Sequence, residues 1–342
     1  MFFSICGNGI TDRYADMSHQ AVKSSVFPVS VGLRSQALKL KFASAAYDGH
    51  YLKPAFPLKQ VMEIFRNRLS MEVSPPIFHQ DYINETLSLI YSPFYRDDKI
   101  YDAVLNRPLM QDNPEGFDLS PISEESPDWK IDFLPTLCPH CGCDMEGDKD
   151  SIALSCKNCN SVWKPGKNGF TKIDFATIPM TGDDIVHLPF WRIKAKLSGV
   201  KLDSYADLVK AANLPKVVQK GWDEMDFRFW VMGFKVRPQK FLSIATGMTL
   251  AQPREKMVSE LPAGSLFPIT FPLKEAIKTL KLCLGGFIRP RRPFFSMIGD
   301  VSVTPVSYRL VYVPFREKQH EFINSAYCLA MIKNHLSMAR NL

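Results

Sequence analysis

Two pairs of closely spaced cysteines constrain the fold of this chain more than any other feature. Cys138 and Cys141 are separated by two residues, as are Cys156 and Cys159, and fourteen residues lie between the pairs. A Cys-x-x-Cys turn points two thiolates at one centre, and its backbone amides can donate hydrogen bonds to the sulfurs. Two such turns facing each other form a tetrahedral four-sulfur site, which suits zinc. We therefore predict that these four cysteines bind one structural zinc ion.

The residues around the cysteines indicate the local backbone. Gly142 and Asn160 each follow a cysteine pair, at the position where a left-handed residue is often needed. The segment SIALSC, residues 151–156, alternates as a short strand would, and EGDKD, residues 146–150, has the composition of a turn. The pattern predicts a β-hairpin with a cysteine turn at each end.

The segments CPHCG and CKNCNSVW resemble the zinc ribbon family. The resemblance covers only residues 138–163. It implies a closed zinc site with four thiolate ligands and no open position for water or substrate, so the metal would stabilise the fold rather than catalyse. It implies no particular function, because zinc ribbons occur in transcription factors, nucleic-acid enzymes and assembly proteins.

Other interpretations of the cysteines remain open. A rubredoxin-like iron site uses similar turns, and a redox-active dithiol is a third possibility. His140 and Cys143 lie close enough in sequence to substitute for a ligand. Because the set of four cysteines is already complete, we predict that both are spectators.

The chain also contains an apparent repeat. Residues 56–69 read FPLKQVMEIFRNRL and residues 271–284 read FPLKEAIKTLKLCL. Apolar residues recur in both at the spacing of one helix face, and Pro57 and Pro272 suit the first helical position. The segments ETLSLIYSPFY and SYRLVYVPF follow, and they align at Pro93 and Pro314. Each predicts a strand interrupted by proline, hence an edge or bulged strand. Two matches in the same order indicate duplication, and chance similarity of amphipathic segments is the alternative.

The LPFW segment, residues 188–191, has the same aromatic character. It is similar to a YVPFW-like strand that follows the zinc ribbon in some uncharacterised bacterial proteins. This looser likeness implies no activity.

These features predict an α+β fold in which two related modules of helix plus antiparallel strands flank an inserted zinc ribbon. The predicted boundaries are an N-terminal α+β module at 1–110, an acidic, proline-rich linker at 111–135 and the ribbon at 136–166. A C-terminal α+β module at 167–342 repeats the first. Amphipathic segments further predict helices from Ser204, from Pro238 and between Glu317 and Arg340.

Composition limits the function classes. The chain has no run of 18 apolar residues, so no membrane span is expected, and its apolar start is too short for a signal peptide. Eight cysteines, four of them in paired turns, do not resemble a secreted disulfide framework, so we expect a cytoplasmic protein. The net charge of +7 fits an ordinary solvated surface or a surface for an acidic partner.

The sequence contains no motif that marks an active site. It has no glycine-rich phosphate loop, no Gly-x-Ser-x-Gly and no His-Glu-x-x-His. His187, beside LPFW, is the most interesting histidine, although a histidine at a strand end is commonly structural. Enzymatic activity therefore stays open, and a non-enzymatic role is favoured.

Three arginines form a basic segment in GFIRPRRPFF, residues 286–295. Arg289, Arg291 and Arg292 are separated by prolines and flanked by aromatic residues. An extended loop of this kind could bind phosphates or carboxylates, with bases stacking on the aromatic rings. The alternatives are a solvated loop and a loop that pairs with the acidic linker.

The favoured function is an interaction protein: an adaptor, assembly factor or accessory subunit that binds another protein. Edge strands invite strand addition by a partner, and Tyr91, Trp191 and Tyr312 are the candidate docking residues. The alternative is a nucleic-acid-binding protein that uses the ribbon and the Arg289–Arg292 segment. A second alternative is an enzyme with an unrecognised site.

Overall fold

A computed structural model describes most of the chain. The described residues are 2–7, 9–13, 18–24, 26–31, 49–70, 76–83, 89–109, 124 and 133–337. The chain divides into two units with interleaved segments. The first comprises Met1–Arg13, Ser74–Glu85 and Leu134–Leu342, and the second comprises Tyr14–Val73 and Thr86–Phe133. The predicted domain boundaries remain a prediction, and most of the predicted linker lies outside the described residues.

The fold mixes helices with predominantly antiparallel sheets, which confirms the α+β prediction at that level. The helices are α1 (Leu58–Ser70), α2 (Tyr205–Ala211), α3 (Pro238–Ala251), α4 (Leu273–Lys278), α5 (Leu280–Phe287), α6 (Arg291–Met297) and α7 (Lys333–Ser337). The strands before the cysteines are β1 (Phe2–Cys6), β2 (Gly9–Arg13), β3 (Ile77–Tyr82), β4 (Phe94–Arg96), β5 (Ile100–Asp102) and β6 (Arg107–Pro108). No described helix is long and apolar enough to cross a membrane.

The remaining strands belong to the first unit. They are β7 (Leu154–Cys156), β8 (Ser161–Gly166), β9 (Gly169–Ile173), β10 (Phe175–Thr177), β11 (Ile185–Leu197), β12 (Phe229–Met232), β13 (Ser265–Leu266), β14 (Val303–Glu317), β15 (Glu321–Asn324) and β16 (Leu329–Ile332). Strands β7, β8 and β9 form an antiparallel sheet that carries the second cysteine pair. We call residues 137–173 the cysteine sheet.

A seven-stranded sheet, which we call the central sheet, organises the first unit. Its order is β12-β11-β14-β15-β16, and β10 and β13 add parallel to β14 and β11. Strands β11 and β14 pair antiparallel from Ile185 opposite Arg316 to Leu197 opposite Val303, with a register shift after Lys194. Every β11 residue from Ile185 to Trp191 is buried, so helices and loops cover both sheet faces there.

A second small sheet, in the order β2-β1-β3, belongs to the same unit. Phe3 and Ile5 of β1 are buried in the common core. Gly285 of α5 lies against this sheet. An added Cβ there would come within 3.1 Å of Ile10 and 3.2 Å of Ile5, so a larger side chain would separate helix and sheet.

The prediction that proline marks β14 as an edge or bulged strand at Pro314 is wrong. Pro314 lies directly opposite His187 in the centre of the sheet. Its carbonyl accepts a hydrogen bond from the Asn324 side chain at 2.8 Å and therefore points away from β11. Because N–H and C=O of one strand residue point the same way, the missing N–H falls in the gap between β10 and β15, where no ladder bond is lost.

The two repeat copies differ in the described residues. The first helix, α1, is continuous, whereas the second is divided at Thr279 into α4 and α5. Pro272 caps α4 in an extended conformation and is not its first helical residue. Residues 89–93 lie outside any strand, whereas the matching segment of the second copy lies within β14. The duplication therefore stays a prediction.

The structure corrects two further predictions. The segment between Glu317 and Arg340 was predicted to be helical, but its described part forms the β15–β16 hairpin followed by the short α7. The basic segment 286–295 is not an extended loop, since it ends α5 and then forms α6, which begins at Arg291. The helices predicted from Ser204 and Pro238 are confirmed as α2 and α3.

The second unit contains α1 and the three-stranded sheet β4-β5-β6. The rings of Tyr95 and Tyr101 stack with centroids 5.1 Å apart. The buried carboxylate of Asp102 accepts hydrogen bonds from the backbone amides of Val104 and Leu105, which closes the turn after β5.

Candidate metal centre

The sulfurs of Cys138, Cys141, Cys156 and Cys159 form one cluster. All four Sγ atoms lie within 4.8 Å of one another, and together they could hold a metal ion. Cys138 Sγ lies 3.5 Å from that of Cys159, and Cys141 Sγ lies 3.5 Å from that of Cys156. These distances far exceed a disulfide bond and approach the edge of about 3.8 Å expected for a tetrahedron with metal–sulfur bonds of about 2.3 Å.

The backbone around the cysteines has the predicted conformation. Gly142 has φ of +74° and Asn160 has φ of +49°, so both occupy the left-handed region that their sequence positions indicated. The N–H of Gly142 donates to the Cys138 carbonyl at 2.9 Å, which closes the first turn. This turn directs the backbone amides of His140 and Cys141 at the Cys138 sulfur.

Ser161 supports the sulfur cluster and was not predicted from the sequence. Its buried hydroxyl accepts a hydrogen bond from the Trp163 indole N–H at 2.7 Å. The same oxygen lies 3.0 Å from the sulfur of Cys159 and 3.7 Å from that of Cys138. The indole occupies the acceptor side of the hydroxyl, so its proton is available to a sulfur. A hydroxyl that donates to a ligand sulfur in this way holds the sulfur in position for a metal ion.

The electrostatics of the cluster favour a bound cation. The side chain of Asn158 and the backbone amide of Cys143 lower the pKa of Cys141 to about 6. The pKa of Cys159 instead rises to about 12: the Ser161 hydroxyl lowers it, but burial and the other three ligand sulfurs outweigh that effect. Without a counter-charge, ionisation of one thiol opposes ionisation of the next, and a divalent cation removes that opposition.

The predicted spectators lie outside the cluster. His140 and Cys143 are both exposed, and neither contributes to the four-sulfur group. The N–H of Cys138 donates to the Cys143 carbonyl at 2.8 Å, so Cys143 contributes its backbone to the turn. Its exposed thiol contacts the Cys141 sulfur, and this hydrogen bond raises the pKa of Cys143.

The cysteine sheet has a small core and is docked on the rest of the first unit. Cys138, Met145 and Cys156 form its own buried apolar cluster, whereas its other buried apolar residues, Ala153 and Val162, pack into the core of the first unit. The N–H of Ile152 donates to the Ile269 carbonyl at 2.8 Å. The Asn160 side chain, at the second left-handed position, accepts a hydrogen bond from the N–H of Leu261 at 2.9 Å. The turn KPGKNG, residues 164–169, does not end the sheet but joins β8 to β9, so pairing continues to Ile173.

Two of the three predicted aromatic docking residues are buried. Trp191 is 3% exposed and donates its indole N–H to the Phe271 carbonyl at 2.9 Å. Tyr312 is 2% exposed, and burial raises the pKa of its hydroxyl. Their rings are core residues, so the placement of a docking surface on them is wrong. Tyr91 lies in the second unit, partly buried against Tyr51 with ring centroids 4.8 Å apart.

His187 does not form a recognisable catalytic site. It is 2% exposed, and among the described residues neither ring nitrogen has a hydrogen-bond partner of standard geometry. Burial lowers its pKa below the usual 6.5, and the backbone of Ile178 only partly opposes this effect. A cavity of about 250 Å³ between the cysteine sheet and residues 264–269 reaches Tyr312, but His187 does not line it.

The three predicted binding arginines lie at the junction of α5 and α6, and all three are exposed. The guanidinium of Arg289 donates to the carbonyls of Gly286 and Ile288, at 3.2 and 2.9 Å, and so satisfies the end of α5. Burial, together with the charge of Arg291, lowers the pKa of Arg289. Arg289 therefore has a structural role that the sequence did not indicate.

The outer strand of the central sheet provides a candidate binding edge. In the described part of the chain, β16 pairs with β15 alone. A cavity of about 230 Å³ adjoins this strand, and its lining comes from α3, β15, β16 and α7. Its apolar lining includes Ile244 and Ile332, and its polar lining includes Lys240, Glu321 and His335.

Comparisons with known proteins identify no relative of this chain. No protein-family model, curated protein or solved structure matches this chain. The resemblance to zinc ribbons therefore rests on the cysteine segments and on the sulfur cluster that they form.

Proposed function

We propose that this protein binds an extended segment of another protein and that a structural zinc ion stabilises its cysteine sheet. The observation that carries the binding role is the open edge of β16 beside an apolar cavity. An adaptor, assembly factor or accessory subunit would use such an edge. The proposal keeps the function predicted from the sequence but moves the docking site from Tyr91, Trp191 and Tyr312 to β16.

Zinc is the proposed ion because of the chemistry of its donors. Four thiolates at the corners of a tetrahedron suit Zn²⁺, and the complete set leaves no position for a substrate. When bound, the ion would supply the cohesion that the small core of the cysteine sheet lacks. The N–H groups and the Ser161 hydroxyl would hold the sulfurs in place.

The register of the β15–β16 hairpin determines which groups face the open edge. The N–H of Lys333 donates to the His320 carbonyl, and pairing alternates from there along the hairpin. Ala330 and Ile332 are consequently the residues whose N–H and C=O groups point away from β15. Both side chains are exposed, whereas Leu329 and Met331 are buried. The edge therefore offers backbone hydrogen bonds to an added strand.

The charges beside the edge favour an acidic partner segment. Lys240 and His335 line the cavity. Burial lowers the pKa of His335, and the charges of Lys240 and Arg237 lower it further. Glu321 is the one acidic residue in the lining. A carboxylate entering the cavity would meet the ammonium group of Lys240, and an apolar neighbour would pack on Ile244. We propose an extended segment that pairs one acidic and one apolar side chain.

The test uses a peptide selected from a displayed library of extended acidic segments against the zinc-loaded protein. Ala330→Pro removes an outward N–H but no bond to β15, and the control Ala330→Val keeps the N–H. We expect the proline variant to lose about tenfold in peptide affinity, because one net hydrogen bond of about 1 kcal/mol and the fit of the added strand are lost. The valine variant should change by less than about threefold. Lys240→Glu should abolish the preference for acidic peptides.

Equal binding by the proline and valine variants would show that the edge is not the site. Failure to select any peptide would remove the protein-binding proposal altogether. The zinc proposal stands apart from both outcomes, because metal content is measured independently. Nucleic-acid binding at Arg289–Arg292, an enzymatic role and a cytoplasmic location remain predictions from the sequence.

A further inference from the structure

Three arginines lie side by side across the central sheet. Arg192 of β11 is directly opposite Arg309 of β14 on one side and Trp230 of β12 on the other. Arg228 precedes β12 and points to the same face as Trp230, since strand side chains alternate. The charges of Arg228 and Arg309 both act on Arg192. We call Arg192, Arg228 and Arg309 the arginine row.

The outer members of the row have carboxylate partners, and the central one has none. Arg309 donates to Asp174 at 2.8 Å, and Arg228 donates to Asp226 at 2.8 Å. Asp226 also accepts from Lys194 at 2.8 Å, so three cations share two carboxylates. Among the described residues, Arg192 forms no ion pair, and its buried Nε has no hydrogen-bond partner.

This arrangement of charges destabilises the folded protein when no anion is bound. Like charges directly opposite in an antiparallel pair are destabilising, and a buried donor without a partner costs free energy. Burial and the two flanking arginines lower the pKa of Arg192, and the charge of Asp226 only partly opposes them. The Trp230 ring offers a cation–π contact, but its centroid is 5.9 Å from the guanidinium carbon, near the outer limit for such contacts. An anion bound at the row would therefore reduce the repulsion between the arginines and could accept a hydrogen bond from Arg192.

The shape of the site indicates which anion would meet it. The two cavities described above do not include the row, and Arg309 and Lys194 are 45% and 37% exposed, so the site is an open surface. Arg192 and Arg309 lie opposite each other on strands about 4.8 Å apart. Arg228 lies two residues before Trp230, the residue opposite Arg192, and its side chain is 15% exposed, so the row is stepped rather than straight. Guanidinium groups match phosphate geometry. A ligand with one phosphate would contact only part of the row, whereas a nucleic acid carries a phosphate at every nucleotide.

We propose that Arg192, Arg228 and Arg309 bind the phosphate backbone of a single-stranded nucleic acid. A flexible single strand can follow the twist of the sheet across β12, β11 and β14. Trp230 is fully buried, so the contact is with phosphates and carries little sequence preference. The site is distinct from the β16 edge and from Arg289, Arg291 and Arg292, and it goes beyond the protein-binding function.

The test measures the anisotropy of a fluorescein-labelled 20-nucleotide single strand at two salt concentrations. With three phosphate contacts, raising salt from 50 to 200 mM should weaken wild-type binding roughly 20-fold. Arg192→Gln should weaken binding about tenfold at low salt and reduce the salt dependence, and the more exposed Arg309→Gln should do the same. Arg192→Lys keeps the charge but loses the planar guanidinium group. Its affinity should lie between those of the wild type and Arg192→Gln. The control Lys274→Gln removes one exposed charge from α4 and should change affinity less than twofold.

Several results would overturn the proposal. Binding that is insensitive to salt, equal losses for the Arg192 and Lys274 variants, or no binding by the wild type would each do so. Inorganic pyrophosphate serves as the small competitor. If it binds in an Arg192-dependent manner while the oligonucleotide does not, the site takes a small anion and the nucleic-acid assignment is wrong. Thermal unfolding of each variant confirms that a loss of binding does not reflect a loss of fold.

Discussion

The cysteine sheet and the central sheet are stabilised in different ways. The cysteine sheet has short strands, and the apolar cluster of its own has three buried residues, two of which are the ligand candidates Cys138 and Cys156. The central sheet has strands of 13 and 15 residues and buries large aromatic side chains such as Phe190 and Phe315. A small sheet cannot bury enough apolar surface to fold by packing alone, and the four clustered cysteines could hold a metal ion whose ligation would replace packing there. Packing alone suffices for the larger sheet.

The sharpest test of this comparison removes one sulfur. Cys156→Ser should reduce metal content from one ion per chain to a small fraction, and residues 137–173 should lose protection from hydrogen exchange. Amides of β11 and β14 should keep their protection, because the central core needs no metal. Metal analysis and exchange mass spectrometry measure both effects.

Cys143→Ser is the matched control, since Cys143 is exposed and lies outside the cluster. It should keep the full metal content. If Cys156→Ser also unfolds the central sheet, the two regions do not differ as described, and metal binding supports the whole unit.

The converse change creates a cavity in the central core. Phe190 stacks on Phe315 with ring centroids 6.2 Å apart and meets Phe234 edge-on at 5.8 Å. Phe190→Ala should lower the free energy of unfolding by about 3–5 kcal/mol, measured by urea denaturation, and should leave metal content unchanged. Val306→Ala, at a 51% exposed position on β14, should cost less than about 1 kcal/mol. Loss of metal in the Phe190 variant would contradict independent stabilisation.

A smaller effect is expected where Ser161 supports the ligands. Ser161→Ala removes the hydroxyl between Trp163 and Cys159 and should weaken zinc affinity roughly 10- to 100-fold, measured by chelator competition. Ser151→Ala is the control, because it removes a turn hydrogen bond to the Asp148 amide in the same sheet without touching a sulfur. Equal zinc affinities for the two variants would show that Ser161 affects the metal site only through the stability of the hairpin and not through the contact of its hydroxyl with sulfur.

The smallest predicted effect is a pH dependence that arises in the central sheet. Burial lowers the pKa of His187 in the folded protein, so the unfolded chain binds the proton more tightly. Stability should therefore fall as pH decreases below about 6.5, by at most about 1.4 kcal/mol per pH unit, and should be unaffected by His187 above that value. His187→Leu should remove this part of the slope in urea unfolding between pH 5 and 7.

His320→Gln, at an exposed position, should leave the slope unchanged. Because acid also protonates the cysteine ligands, the informative quantity is the difference between the wild type and each variant at the same pH. No difference for His187→Leu would mean that the pKa of His187 is the same in the folded and unfolded protein.

Local features of the fold were predictable. The left-handed positions of Gly142 and Asn160 follow from backbone preference alone. Helix α2 begins where Ser204 indicated: its hydroxyl accepts from the Asp207 amide, and the Asp207 carboxylate accepts in return from the Ser204 amide. In both cases the residues that decide the conformation are sequence neighbours.

Predictions that depended on distant partners failed. Pro314 predicts an edge or a bulge, but it lies in a central strand. The gap between β10 and β15 accommodates it, because no strand there needs a hydrogen bond from its nitrogen. Apolar residues between Glu317 and Arg340 recur at helical spacing, yet Phe322 and Met331 pair across a hairpin because its buried face packs on the central core. Large aromatic side chains such as Trp191 and Tyr312 are typical of docking surfaces. They are buried here because helices and loops cover both faces of the sheet.

The sequence by itself determined the four clustered cysteines, their turns and several helix starts, because cysteine spacing, capping and backbone preference act over a few residues. Only the tertiary structure decided which strand is an edge, which aromatic rings are buried and where Ser161 meets the sulfurs. It also brought Arg192, Arg228 and Arg309, which are far apart in sequence, into one row. Burial and strand order are set by the free energy of packing the whole unit, which no short stretch of sequence specifies.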